Sequence, residues 1–142
     1  MREILFRAKR KKDGKWVEGF YVKSVWVEYG QELDILIPTK NGMYFNQISS
    51  WYGVDPETLG QYTGLNDKNG KKIFEGDIVR VVGHEPYVNG EYIVEYVEVN
   101  HCWELISTNL LRRNFSFSEL NGFNVDGEVI GNIYDNMEEF DG

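Results

Sequence analysis

The amino-acid sequence predicts a mainly β fold with some α+β character, and three features of its composition support this. Aromatic residues, which favour strands, are frequent: there are nine Tyr, eight Phe and four Trp. Fifteen Gly and three Pro are typical of strands joined by tight turns. Long tracts of the residues that favour helices are absent. With 142 residues, the chain is long enough for one domain with its own core, with or without a small subdomain.

The first sixty residues are predicted to contain short strands and a single helical turn. The Asp-Gly pair at 13–14 is a strong hairpin signal between strands at 4–9 and 16–22. Farther along, Asp55 is a suitable N-cap and Pro56 occupies the first helical position, which predicts one turn of helix. Two more strands are predicted at 25–29 and 33–37, joined by a turn at 29–31.

The rest of the chain predicts strands that meet at sharp turns. The turns at 66–70 and 75–77 lie close together, and the strands that follow them would pack at steep angles, as in a small barrel. In the strand at 91–99 the acidic residues face solvent, but Glu98 is out of phase, which indicates a bulge near Tyr96. Strands are also predicted at 61–65 and 78–82, a hairpin partner of the strand at 91–99 is predicted at 101–106, and a turn followed by a strand is predicted within 124–134.

Charge is distributed unevenly along the chain, whose formal net charge is −8. Residues 1–15 carry seven basic side chains and two acidic ones, whereas residues 126–142 carry six acidic side chains and no basic one. The overall charge does not suit a general nucleic-acid binder. The asymmetry has two interpretations: a basic arm that contacts nucleic acid, or two ends that attract each other within a chain or between subunits.

The sequence predicts a cytoplasmic protein without a membrane segment. The first residues lack the apolar core of a secretory signal, and no apolar run approaches the roughly 20 residues that a spanning helix needs. Cys102 is the single cysteine, so no intrachain disulfide can form. The N-glycosylation pattern at 114–116 is interpreted as chance for the same reasons.

No catalytic site, metal site or cofactor is predicted. Apart from carboxylates, the candidate metal ligands are His84, His101 and Cys102, and the last two are adjacent, which would place them on opposite faces of a strand. A Cys102 nucleophile would lack an indicated partner, and its side chain is expected in the core. The glycines at 60–64 lack the Gly-Lys-Ser/Thr end of a phosphate loop. The sequence therefore does not predict an enzyme.

The stretch from Val54 to Val79 resembles the core of the YopX family, small proteins encoded mostly by bacteriophages and prophages. Two flanking pieces, at 2–8 and 129–136, look like the start and the end of the family pattern. The core pattern comprises Asp-Pro-Glu-Thr at 55–58, Gly-Gln-Tyr-Thr-Gly-Leu at 60–65, Asp-Lys-Asn-Gly-Lys at 67–71 and Glu-Gly-Asp-Ile-Val at 75–79.

The resemblance implies an N-terminal α+β portion with β-hairpins, residues 1–60, joined to a C-terminal SH3-like β-barrel, residues 61–142. It also implies homo-oligomers in the cytoplasm of a bacterial host, and it supplies no catalytic residue. The motif itself is explained by folding without a ligand, because its glycines fall at sharp reversals and its aspartates can accept backbone hydrogen bonds there. These structural residues are Gly60, Gly64, Asp67, Gly70, Gly76 and Asp77.

The sequence does not reveal a biochemical activity. The first hypothesis is a non-enzymatic phage accessory protein that self-associates and binds a host or phage protein. Trp51 and Tyr52 are the preferred protein-binding residues, because Trp and Tyr dominate protein interfaces. The alternative for this pair is packing between the two subdomains.

Two other hypotheses rest on charge. One is a nucleic-acid-binding module, whose affinity would fall steeply with salt. The other is that the acidic segment 135–141 imitates nucleic acid toward a host protein. In the nucleic-acid-binding hypothesis the residues that contact phosphate are Lys9, Arg10, Lys11 and Lys12.

Overall fold

A computed structural model describes the fold at residues 3–26, 31–38, 51–82, 87–109, 113–117 and 127–135. Within these ranges the protein is mainly β, with strands in two antiparallel sheets, which confirms the predicted class. Helical structure in the described part includes short 3-10 turns at Pro56–Thr58 and Glu98–Asn100. None of the described helices is long and apolar enough to cross a lipid bilayer.

The chain divides into two compact units, residues 1–62 and residues 63–142. In chain order the strands are β1 (Phe6–Lys9), β2 (Trp16–Trp26), β3 (Gln31–Pro38), β4 (Tyr52–Gly53), β5 (Gly60–Asn66), β6 (Lys72–Phe74), β7 (Asp77–Val81), β8 (Gly90–Val97), β9 (Cys102–Ser107), β10 (Phe115–Ser116) and β11 (Gly127–Asn132). One sheet has the strand order β4-β3-β2-β1-β5-β6, and the other has the order β10-β9-β8-β7-β11.

The second unit forms an open sheet in its described part. Strands β10 and β11 lie at the two edges, and no pairing between described strands closes the sheet into a barrel. The SH3-like barrel therefore stays a prediction. The described part of the first unit contains strands and the 3-10 turn at Pro56–Thr58 rather than an α-helix.

Two predicted details were wrong. The strand expected at 16–22 continues through Val25 and Trp26 as one eleven-residue strand, β2, because Lys23 and Ser24 pair with β3 even though they interrupt the apolar pattern. The bulge expected near Tyr96 is absent from the β8–β9 register. Instead β8 ends at Val97, and Glu98 begins a 3-10 turn, so its side chain no longer follows the alternation of the strand. Positions 27–29 of the strand predicted at 25–29, and positions 29 and 30 of the turn predicted at 29–31, lie outside the described residues.

Each unit has its own apolar core. In the first unit three fully buried side chains, Ala8, Leu36 and Val54, are surrounded by partly buried aromatic and aliphatic ones. The core of the second unit is larger and packs residues of β6 together with residues of all five strands of the second sheet. Its buried members are Ile73, Val79, Val81, Val88, Tyr92, Val94, Leu105, Phe115, Phe117 and Val129.

The family motif includes β5 and the turns that link β5, β6 and β7; Gly64 lies within β5, whereas Gly70 and Gly76 lie in the turns. Gly64, Gly70 and Gly76 have φ of +86°, +82° and +88°, a region that side-chain-bearing residues rarely adopt. Gly60 differs, because its φ is not in that region and it begins β5 opposite Arg7. Gly70 closes the turn that Asp67 begins, since its N–H donates to the Asp67 carbonyl at 3.0 Å.

Two buried aspartates hold these turns to the sheet. The Asp67 carboxylate accepts backbone hydrogen bonds from Asn69 and Lys71 at 2.9 Å each, and from Val129 in β11 at 3.0 Å. Asp77 accepts one from the Phe74 N–H at 2.8 Å. Both carboxylates therefore accept hydrogen bonds from backbone N–H groups that would otherwise be buried without an acceptor.

Candidate functional site

The first unit presents a sheet face that is not its core face. Side chains alternate along a strand, so residues opposite each other in register share a face. The pairs Phe6–Gly19 and Ala8–Val17 lie on the core face, and the alternate pairs Arg7–Glu18 and Lys9–Trp16 lie on the other side. We call this second side the outer face, and its members are Arg7, Lys9, Trp16, Glu18, Phe20, Val22, Ile35 and Ile37.

One half of the outer face is apolar. Phe20 pairs with Ile37 and Val22 pairs with Ile35, so the four side chains are neighbours in two consecutive rows. Phe20 is 52% exposed and Val22 is 39% exposed. Contiguous exposed apolar side chains on a regular strand are typical of a surface that binds another protein.

The other half of the outer face is basic and aromatic. Lys9 pairs with Trp16 across β1 and β2, and Arg7 lies one row away opposite Glu18. The Arg7 guanidinium carbon lies 4.8 Å from the centroid of the Trp16 ring, and the Lys9 ammonium lies 5.4 Å from it. These are cation–π distances, so the two cations cover the indole and fix their own positions on the sheet.

Arg10 lies on the opposite side of the sheet and has a different environment. Its guanidinium forms an ion pair with Asp13 in the hairpin turn and lies 4.9 Å from the Tyr52 ring centroid. Arg10 also forms a bridge with Val54, which brings β1 and β4 together at this end of the unit. Arg10 therefore joins the hairpin to Tyr52 and does not continue the row of Arg7 and Lys9.

The Arg10–Asp13 pair makes a prediction for titration. The hydrogen bond from the Arg10 side chain, followed by the backbone N–H of Lys15, lowers the pKa of Asp13 from 3.8 to about 2. We expect the Asp13 carboxyl carbon to titrate near pH 2 in an NMR experiment, and the Arg10→Gln variant to raise that midpoint toward 3.8. An unchanged midpoint in the variant would show that the pair does not form in solution.

Two groups of residues predicted separately from the sequence, the aromatic pair at 51–52 and the cations at 9–12, lie at the same end of the first unit. The Lys11 N–H donates to the Gly53 carbonyl at 3.0 Å, and the Asp55 N–H donates to the Lys9 carbonyl at 2.9 Å. Trp51 is 55% exposed, whereas Tyr52 is partly buried and packs against the core of the unit. Lys11 and Lys12 are exposed in the hairpin turn. Of the predicted aromatic pair, Trp51 thus offers the larger exposed surface.

The apolar half of the outer face was missed in sequence reasoning. The sequence predicts a strand at 16–22 that contains Phe20 and Val22, but it does not show which side of that strand is buried. The signal is present in the register, since Asp13-Gly14 sets the hairpin and thereby places Val17 inward and Phe20 outward. Of the residues considered for metal ligation, His84 lies outside the described residues; among the residues that the structure describes, no group of three or more His, Cys, Asp or Glu could hold a metal ion.

Comparison with known proteins gives the family. A family profile described as YopX protein matches residues 5–140, nearly the whole chain. The chain belongs to the YopX family. The YopX fold seen here is similar to the crystal structure of protein EF1440 from Enterococcus faecalis, with 22% sequence identity, a TM-score of 0.55, and coverage of 98% of this chain and 99% of that one. None of the curated proteins compared with this YopX chain matches it.

Charge separates the two units of this YopX protein. Residues 1–62 contain nine basic and eight acidic residues, whereas residues 63–142 contain six basic and fifteen acidic ones. The cations of the first unit are concentrated in its first fifteen residues, which include Arg7 and Lys9 of the outer face. An acidic polypeptide would therefore be attracted to the first unit and repelled by the second.

Proposed function

We propose that this YopX protein is a non-enzymatic accessory protein of a phage or prophage, which works in the bacterial cytoplasm, self-associates and binds a host or phage protein. The observation that supports this is the outer face, where Phe20 and Val22 are exposed beside Arg7 and Lys9. Apolar contacts at the centre of an interface supply affinity, and flanking charges select the partner. An SH3-like second unit is part of the same proposal.

Trp51 extends the proposed surface to the end of the first unit. It is exposed, and Gly53 two residues later is held by Lys11. A large aromatic side chain next to a backbone fixed by hydrogen bonds loses little conformational entropy on binding. We expect Trp51 to contribute to partner binding together with Phe20.

The binding proposal is tested by affinity capture from a bacterial lysate with nuclease added, quantified by mass spectrometry. We expect Phe20→Asp to reduce the captured partner by about tenfold or more, because it places a charge in the apolar half of the face. Val99→Asp is the matched control, since Val99 is 89% exposed in the second unit. Equal loss of capture in both variants, or in neither, would contradict the proposal.

The second candidate is a nucleic-acid-binding module, and the seven basic residues within 1–15 favour it. Against it, the Trp16 ring is already covered by Arg7 and Lys9, and Arg10 is paired with Asp13. If nucleic acid is the ligand, capture should be lost with nuclease, and affinity should fall steeply with salt because counterions are released. Affinity retained at about 0.5 M salt would reject it.

A further inference from the structure

The sequence contains a segment whose chemistry complements the outer face. Residues 137–141 read Met-Glu-Glu-Phe-Asp, which combines two large apolar side chains with three carboxylates. Four residues separate the segment from Asn132, the last residue of β11. Just before the segment, two hydrogen bonds fix Asp135: the Asn132 side-chain amide donates to the Asp135 carboxylate at 2.9 Å, and the Asp135 N–H donates to the Asn132 side-chain oxygen at 2.8 Å. We call residues 137–141 the acidic segment.

The outer face offers groups that match this chemistry. Trp16, with its cations Arg7 and Lys9, and Phe20 lie four residues apart on β2, which is about 13 Å along a strand. One short polypeptide can therefore place carboxylates at the basic half and an apolar side chain at the apolar half.

We infer that the acidic segment of one copy binds the outer face of the first unit of a second copy. The inference rests on the proposed function, since it takes the outer face to be a protein-binding surface and names its occupant in self-association. Charge favours this occupant: residues 126–142 contain six acidic residues and no basic one, and the second unit carries fifteen of the 23 acidic residues. Because the contact joins two different surfaces, two copies can exchange their segments in a closed dimer, or successive copies can form rings or chains.

Complementation between two defective variants tests this contact directly. One variant ends after Asp135, which keeps the hydrogen bonds to Asn132 but lacks the acidic segment. The other is Phe20→Asp, which keeps the segment but has a disrupted face. We expect the wild-type chain, whose monomer is 16.6 kDa, to sediment as assemblies, each variant alone to sediment as a monomer, and their equimolar mixture to form a one-to-one heterodimer.

Three controls make the result interpretable. Val99→Asp should sediment like the wild type, and Phe140→Ala should weaken assembly about tenfold without altering β2. Replacing Glu138 and Glu139 by Gln should remove most of the salt dependence of assembly, because those charges face Arg7 and Lys9 in the complex. Thermal unfolding of Phe20→Asp should match that of the wild type within a few degrees, which separates a lost contact from a lost fold.

The alternative outcomes are distinct. Variants that assemble as well as the wild type would overturn this inference while leaving self-association intact. A wild-type chain that is monomeric at every concentration would overturn both the inference and the self-association in the proposed function. Capture of a cellular partner that depends on Phe20 would still support the binding role in that case, because that experiment does not require assembly.

Discussion

Replacing Asp67 by asparagine is expected to lower the free energy of unfolding by about 3 kcal/mol, measured by urea denaturation. Asp67 is only 2% exposed, and its carboxylate accepts three backbone hydrogen bonds, including one from Val129 in β11. An asparagine side chain has one acceptor oxygen, and its amide nitrogen would face a backbone donor. At least one buried N–H is then left unsatisfied. Glu128→Gln is the control, because Glu128 is exposed and its nearest cation, Lys68, is 4.0 Å away.

The Asp67 carboxylate also makes the stability of the fold depend on pH. Burial opposes ionisation of Asp67, but hydrogen bonds from Val129, Lys71 and Asn69 outweigh it, so the pKa in the folded state lies below the ordinary value of 3.8. The carboxylate therefore stabilises the fold fully above the unfolded-state pKa, and this contribution is lost as pH falls through the folded-state pKa. We expect the wild type to lose more stability than Asp67→Asn when acidified below about pH 4. Parallel pH profiles of the two proteins would contradict this assignment.

Replacing Gly19 by alanine is expected to lower the free energy of unfolding by about 3 kcal/mol or to prevent folding of the first unit. Gly19 lies in β2 between Phe6 of β1 and Pro38 of β3. A Cβ there would overlap the Ile37 carbonyl oxygen and lie 2.7 Å from the carbonyl carbon. Backbone atoms cannot move aside as a flexible side chain can, so β3 must separate from β2.

Gly53→Ala is the matched control for Gly19→Ala. Gly53 belongs to the same sheet, in β4, but a Cβ there would have no atom within 4 Å and φ is not in the left-handed region. We expect Gly53→Ala to change stability by less than about 1 kcal/mol, with a gain from reduced freedom of the unfolded chain. The Gly19 variant should also lose partner capture, because β3 carries Ile35 and Ile37 of the outer face. Equal effects of the two substitutions would show that the β2–β3 approach is looser than described.

The local structure of this protein could be predicted from short stretches of sequence. The Asp-Gly pair at 13–14 forms the turn of the β1–β2 hairpin, with the Gly14 N–H bonded to the Arg10 carbonyl. Asp55 caps the 3-10 turn at Pro56–Thr58 by accepting from the Glu57 N–H. The strand at 91–99 and its hairpin partner were also predicted, as β8 and β9. These features depend on neighbours a few residues apart, and such interactions are encoded locally.

The candidate site was predicted only in fragments. Trp51, Tyr52 and the cations at 9–12 were identified separately, and their sequence separation gives no reason to join them. The bridge between Arg10 and Val54 brings the two segments together, and the strand alternation then sends Lys9 and Arg10 to opposite sides of the sheet. A row of four adjacent cations in the sequence is therefore divided between two faces in the fold.

What the sequence determined by itself is the mainly β class, the turns at 13–14 and 66–70, and the opposite charges of residues 1–15 and 126–142. Each follows from composition or from backbone preferences of a few adjacent residues. Only the tertiary structure decided which side of β2 is buried, and hence that Phe20 and Val22 are exposed beside Arg7 and Lys9. The physical reason is register: the pairing of β1, β2 and β3 assigns each side chain to a face, and that pairing joins residues distant in sequence.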